Sequence, residues 1–187
     1  MTSATVNWTL SDGGSTYLDL NNGTVTAKAI TSTPITLTAT VADNTQLTAS
    51  LSITVDAKPI SLPDGSTSVT ATVSGNTEKQ TYTQEGEATG ELTKAFNEKI
   101  KSLTAGEKDA LASLTWTFDS ASNTGKTFNS ESKKDGGTLV YKATVALKDS
   151  VTNYTFTNTE ITGTVTFKAV PTIGTIVTKV NDAAGRS

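Results

Sequence analysis

Few side chains in this sequence could do chemistry, and the missing types narrow the field first. The 187 residues include no His, no Cys and one Met, Met1. The commonest general base and metal ligand is therefore lacking, as are thiol nucleophiles, disulfides and zinc–thiolate sites. Carboxylates remain, and Glu85, Glu87, Glu91, Glu98, Glu107 and Asp109 gather along one segment. A glycosidase needs two carboxylates facing each other across a cleft, but acids in the first turns of helices answer to the helix dipole. With no His or Cys beside them, no enzyme and no catalytic residue are expected.

Two tryptophans and four loops are the other candidates. Trp8 and Trp116 each follow an apolar residue by two, Val6 and Leu114. An exposed indole could stack on a sugar ring, but Trp8 is in phase with Val6 and Leu10 and reads as core. Asp12-Gly13-Gly14-Ser15, Asp43-Asn44, Asp64-Gly65 and Lys134-Asp135-Gly136-Gly137 offer oxygen ligands. Their spacing is that of turns and not of a calcium loop, where several oxygens must converge. No cofactor is expected, and structural Ca²⁺ is the one ion the loops leave open. No motif singles out a Lys–Asn pair for an isopeptide cross-link. Asn7, Asn22 and Asn153 begin glycosylation sequons, a pattern that chance produces often in so Thr-rich a chain.

The frame that must position these residues is written in period two. Leu37, Ala39 and Val41 alternate with Thr36, Thr38 and Thr40, and Leu47, Ala49, Leu51, Ile53 and Val55 with Thr48, Ser50, Ser52 and Thr54. Such alternation predicts strands with one buried and one wet face. About a fifth of the chain is Thr, which suits the wet face of strands. Asn21-Asn22-Gly23 predicts a hairpin turn. Val69, Ala71 and Val73 open a second strand-rich stretch, which Gln80 to Thr83 extends, and Leu139 to Leu147 and Ile161 to Phe167 complete it. Between them, from Gly90 to Leu114, the period changes. Leu92, Phe96, Ile100 and Leu103 mark one face of a helix. Thr104-Ala105-Gly106-Glu107 reads as a capping box that starts a second helix running to about Ser113. This helical insertion would cap an open end of the β frame, or project to a partner. The stretch Ser120 to Gly137 reads as polar loop. Thr115-Trp116-Thr117-Phe118 echoes Asn7-Trp8-Thr9-Leu10, a weak internal repeat that points to tandem modules.

Val6-x-Trp8-x-x-Ser11, then Leu18 through Asn22-Gly23-Thr24-Val25-Thr26-Ala27-Lys28-Ala29, then Ile35 to Val41 and Leu51-x-Ile53-Thr54-Val55 resemble the bacterial immunoglobulin-like group 2 domain. The resemblance covers residues 4–56, about the last two-thirds of such a domain. The expected class is all-β: tandem immunoglobulin-like β-sandwiches, the second with a helical insertion. The expected division is 1–57, opening strands lacking, then 58–169 with the insert at about 90–114, then 170–187 as an extra strand and tail. Ala169-Val170-Pro171 parallels Ala57-Lys58-Pro59, so the run Ile173 to Val180 sits where a third unit would open.

The resemblance implies non-catalytic modules of bacterial surface proteins and virions. Net charge is −3 and no basic stripe exists, so nucleic acid is not expected as a partner. No apolar run approaches the ~20 residues of a membrane span, and no signal peptide follows Met1. Met1 is then either a start placed inside a longer secreted protein or the start of one not secreted by that route. The expected function is a structural or adhesive module of a bacterial cell-surface protein, a self-assembling surface-layer or spacer segment in its sharpest form. Its partners would be protein, either self or neighbouring modules, with cell-surface glycan another possibility. The alternatives are a virion module (capsid decoration or tail) and a carbohydrate-binding module.

Overall fold

The computed structural model describes residues 4–74 and 85–168. The expected sheet extension at Gln80 to Thr83, the run Ile173 to Val180 and the tail beyond it lie outside those residues. In chain order the elements are β1 (Val6–Leu10), β2 (Leu18–Asn21), β3 (Thr24–Ala27), β4 (Ile35–Val41), β5 (Asn44–Ile53), β6 (Lys58–Pro59), β7 (Ser68–Ser74), α1 (Glu85–Lys99), α2 (Ala105–Ala110), β8 (Thr117–Phe118), α3 (Phe128–Glu131), β9 (Thr138–Val145), β10 (Tyr154–Thr155) and β11 (Thr159–Lys168). The fold is therefore mixed, with several sheets and a few helices. Two compact units form. Among the described residues, one comprises 4–60 with Asp149–Thr155, and the other those of 61–148 with 156–168.

The first unit is an antiparallel sheet in the order β1-β4-β5. Its register sets Leu10, Leu37 and Leu51 in one row and Trp8, Ala39 and Ala49 in the next. Opposed residues of antiparallel strands share a face, so the alternating apolar residues of all three strands lie on one side. The β2–β3 hairpin turns at Asn22 (φ 45°) and Gly23 (φ 82°). Two positive φ angles in succession are what a two-residue hairpin turn requires, and Asn-Gly adopts them at least cost. Leu18, Ile35, Leu37 and Ile60 are the buried apolar residues of this unit. Gly14 is buried because a Cβ there would lie 2.8 Å from Ile35 Cγ2 and 2.9 Å from Leu10 Cβ. Thr31 holds the end of the sheet: its backbone N–H donates to the Val55 carbonyl at 3.0 Å, and its hydroxyl accepts from the Val55 N–H at 3.0 Å. β6 pairs in parallel with β10.

The second unit is a four-stranded sheet, β7-β11-β9-β8. β7 runs parallel to β11, and the other pairs are antiparallel. One face carries Val69, Val73, Ile161, Val165, Phe167, Leu139, Tyr141, Ala143 and Val145, all buried. Ala88, Leu92 and Phe96 are the buried stripe of α1, continued by Ile100 just past its end, and α1 packs against β7 and β11. Gly163 falls mid-strand because Leu92 and Trp116 occupy the space above it: a Cβ would lie 2.7 Å from Leu92 Cδ1 and 2.8 Å from Trp116 Cζ3. Phe128 of α3 meets Phe167 edge to face at 5.7 Å.

Three expectations change. The all-β class gives way to the mixed one, since helices supply a layer of the second unit. A spacing of four between Leu92, Phe96 and Ile100 makes a continuous apolar stripe, and a helix so patterned covers the sheet face that a second sheet would cover in a sandwich. Among the described residues no second sheet packs on that face. The helices also shift: α1 starts ahead of Gly90, at Glu85. The α2 capping box forms as read, with Glu107 N–H donating to Thr104 Oγ1 and the Glu107 carboxylate accepting from Thr104 N–H. That helix ends at Ala110, because Leu111 turns extended and bridges to Leu147. The polar stretch after Phe118 is structured by Asn123. This buried amide donates to the Val140 carbonyl at 2.7 Å and accepts from the Val140 N–H at 2.9 Å, as a neighbouring strand would.

Candidate functional site

The outer strand of the first unit is the feature with the most chemistry left to offer. β4 and β5 are joined through Ala42 and Asp43, and Asn44 Oδ1 accepts from the Gln46 N–H at 3.2 Å. This local bond fixes the turn and starts a ten-residue strand. One edge of β5 pairs with β4. Among the described residues no strand pairs with its other edge. Every β5 residue except Ile53 is exposed.

The alternation predicts that Leu47, Ala49, Leu51 and Ile53 are buried, and the structure corrects this. Leu47 is 58% exposed and Leu51 60%, while Leu37, opposite Leu51, is buried. The apolar face is therefore covered at β4 and bare at β5. The other face is a polar ladder, with Thr38 Oγ1 and Ser50 Oγ 3.3 Å apart. From Asn44 to Val55 there is no charge, no Gly and no Pro. Charges, prolines and bulges on an outer strand are what ordinarily keep it from pairing with another chain. β5 has one such irregularity, where its register against β4 jumps from Thr48 to Asn44 and leaves Thr45, Gln46 and Leu47 without a β4 partner; from Thr48 to Ile53 it pairs regularly. Sequence reasoning missed this site because period two reports which residues share a face and not whether a layer covers it. The available signal was scarcity: besides Met1 and Tyr17, only Val6, Trp8, Leu10, Leu18, Leu20, Val25 and Ile30 precede Thr31 as large apolar residues to cover ten residues of β5.

The two tryptophans separate. Trp116 is half-buried, its ring against Gly163, and its Nε1–H donates to Thr93 Oγ1 at 3.1 Å. Trp8, which reads as core, is 37% exposed, with its indole resting on the Gly23 turn. It stands in the row of Ala39 and Ala49 and so borders the bare strip of β5.

The acids do not converge. Glu91 pairs with Lys94 at 2.6 Å, Asp109 with Lys148 at 3.2 Å, and Glu107 serves the α2 cap. Glu85 and Glu87 lie in the first turn of α1, where the helix dipole favours them. Among the described residues no group of three or more His, Cys, Asp or Glu could hold a metal ion. The Asp-Gly loops are turns: Gly13, Gly65 and Gly136 have φ of 75°, 74° and 77°. Among the described residues no helix is long and apolar enough to cross a membrane.

Charge in the second unit is local. The Ser122 hydroxyl donates to Asp119 and holds its carboxyl below the ordinary value, and Lys142 adds to this. Glu160, 3.1 Å from Lys142 Nζ, raises that ammonium. The bond from Lys134 at 2.7 Å holds the buried Glu131 down. Burial pushes the Tyr141 phenol up, with the Glu85 carboxylate adding to the shift. A surface hollow of about 530 Å³ touches Phe96, Ile100, Lys101, Lys108, Leu111 and Lys148. Its lysines are engaged, Lys101 with Glu98 at 3.9 Å, Lys108 on the Lys101 carbonyl at 2.9 Å and Lys148 on Asp109. Binding specificity asks for polar groups that converge on a ligand, and these face neighbours instead. Compared with protein-family models and with curated proteins, the chain matches none.

Proposed function

We propose that the chain is a non-catalytic structural or adhesive module of a bacterial cell-surface protein, built from immunoglobulin-like units. It works by lending sheet edges and faces to neighbouring protein. The observation that carries this reading is β5, a ten-residue outer strand with two exposed leucines and no charge. From Thr48 to Ile53, where it pairs regularly with β4, the other edge of the strand offers a row of backbone donors and acceptors to a second strand. The immunoglobulin-like part is supported by the order β8-β9-β11 in the second unit, antiparallel throughout, which corresponds to strands C, F and G of such domains. A surface-layer or spacer segment is the sharpest form of the proposal. A virion component would use the same edge, and the genes around the parent reading frame separate the two settings.

The test is sedimentation velocity of the whole chain across a wide concentration range, with and without Ca²⁺. Reversible association that deepens with concentration supports the module reading. A strict monomer throughout would remove it. Association that appears only with Ca²⁺ would return the loop carboxylates to consideration as ligands.

A second reading, glycan binding, rests on Trp8 at 37% exposure. It predicts that soluble cell-wall glycans shift the emission of Trp8 in a Trp116→Phe variant. Unmoved emission across a glycan panel dismisses it.

A further inference from the structure

We infer that the face of the second unit turned away from α1 binds ice. β7 and β11 lie side by side, parallel and in register, so that Ser68 stands next to Thr162, Thr70 next to Thr164 and Thr72 next to Thr166. Alternate residues of a strand point to opposite faces. Val69, Val73, Val165 and Phe167 are buried on the α1 side, which leaves these six hydroxyl residues on the other. Ser68, Thr70 and Thr72 are exposed, and the threonines of β11 are half-buried. Among the described residues no side-chain hydrogen bond engages any of the six hydroxyls.

The make-up of this face selects the ligand. β7 carries no charged residue. β11 has Glu160 and Lys168 near its two ends only, and Glu160 is tied to Lys142 at 3.1 Å. A partner held by ion pairs finds nothing to grip between those ends. The six residues include no aromatic ring for a sugar to stack on and no large apolar side chain to anchor a protein. What they offer is a grid of hydroxyls and methyls at fixed spacing. Threonine is stiff at χ1, so both groups keep their places. The grid repeats every second residue along a strand, about 6.7 Å, and about every 4.8 Å across strands. Oxygen atoms in ice repeat at comparable distances along two directions of the lattice, so water ordered on the grid can continue into the crystal. Sheet twist limits such a match to adjacent strands, and β7 and β11 are adjacent. The wet face of the first unit shows the contrast. Thr36, Thr38 and Thr40 there oppose Ser52, Ser50 and Thr48. The serines lack the methyl group, and Thr38 Oγ1 and Ser50 Oγ, 3.3 Å apart, spend their hydroxyls on each other. One grid is small, but several copies of the module held on one surface multiply its grip.

The test is ice-affinity partition of the full chain. A dilute solution is frozen slowly from a cold surface, and the protein taken into the ice is compared with that left in the liquid. The chain should be enriched in the ice several-fold over a non-binding protein of similar size. Thr70→Lys with Thr164→Lys sets two long charged side chains at the centre of the grid and should abolish the enrichment. Thr70→Ser with Thr164→Ser keeps both hydroxyls but removes the methyls and frees χ1, and should weaken it with little risk to the fold. Thr38→Lys, on the wet face of the first unit, should leave it unchanged. Circular dichroism checks that each variant is folded. A parent chain excluded from ice like the control overturns the proposal. So does a dilysine variant enriched as the parent is, or a loss of enrichment in Thr38→Lys. Retention of the parent on insoluble chitin or cellulose together with exclusion from ice overturns it in favour of a polysaccharide surface. None of these outcomes bears on self-association, by which the module reading stands or falls.

Discussion

A single carboxylate shows how this chain places charge in its interior. Glu131 is buried, yet it is held ionised by the Lys134 ammonium at 2.7 Å and by the Ser130 hydroxyl at 3.2 Å. Its folded pKa lies below the ordinary 4.5. A group whose pKa is depressed by folding adds stability at pH values above its unfolded pKa. That stability fades as pH falls toward the folded one, because the unfolded chain then binds the proton more readily. Glu131→Gln is therefore expected to lower stability to urea at pH 7. The difference from the parent should be smaller at about pH 3 than at pH 7, because the carboxyl loses its charge as pH falls through its lowered folded pKa. A gap of equal size at both pH values would mean that the side chain matters for packing and not for charge.

Elements were legible where one period ran long enough. The alternation in β4, β5, β9 and β11 and the four-residue spacing in α1 each repeat several times, and Thr104 with Glu107 marked the α2 cap. The layer facing each element was not legible. Nothing in Leu47 or Leu51 distinguishes an apolar face that is covered from one that is bare, and the phase of Trp8 with Val6 and Leu10 located it on the apolar face without showing that this face is partly open. Asn123 was unreadable for a different reason: a single amide in polar sequence has no period, and only the fold brings it to Val140, seventeen residues away. It takes the place of a neighbouring strand at that point of β9. Asn123→Ala leaves the Val140 N–H without that acceptor, and a buried unpaired donor costs roughly 1–3 kcal/mol. The variant should lose about that much in urea unfolding. Amide exchange at Val140 should accelerate well beyond that of Ile161 and Val165 on the adjacent strand. Uniform acceleration across the sheet would show instead that Asn123 supports the unit as a whole.

At the scale of the molecule the two units differ in how much apolar surface they enclose. The first has Leu18, Ile35, Leu37 and Ile60 as its buried apolar residues, while the second has the full inner faces of β9 and β11 and the stripe of α1. Domains near 60 residues are marginal even with a well-filled core, and the first unit leaves β5 bare. It is expected to unfold at lower denaturant than the second, so that the chain departs from a single two-state transition. Each unit carries one tryptophan, Trp8 or Trp116, so Trp116→Phe reports the first and Trp8→Phe the second. Self-association through the first unit, as the module reading has it, would tie this step to concentration, because a partner that binds only the folded form stabilises it by mass action. A hundredfold rise in protein well above the dimer Kd should stabilise the first unit by up to about 1.4 kcal/mol per chain, half the ~2.7 kcal/mol that the same ratio gives a saturating ligand. The midpoint followed through Trp8 should rise accordingly, while the one followed through Trp116 stays fixed. If both midpoints climb together, the two units unfold as one body; if neither moves, the first unit takes no partner from its own kind.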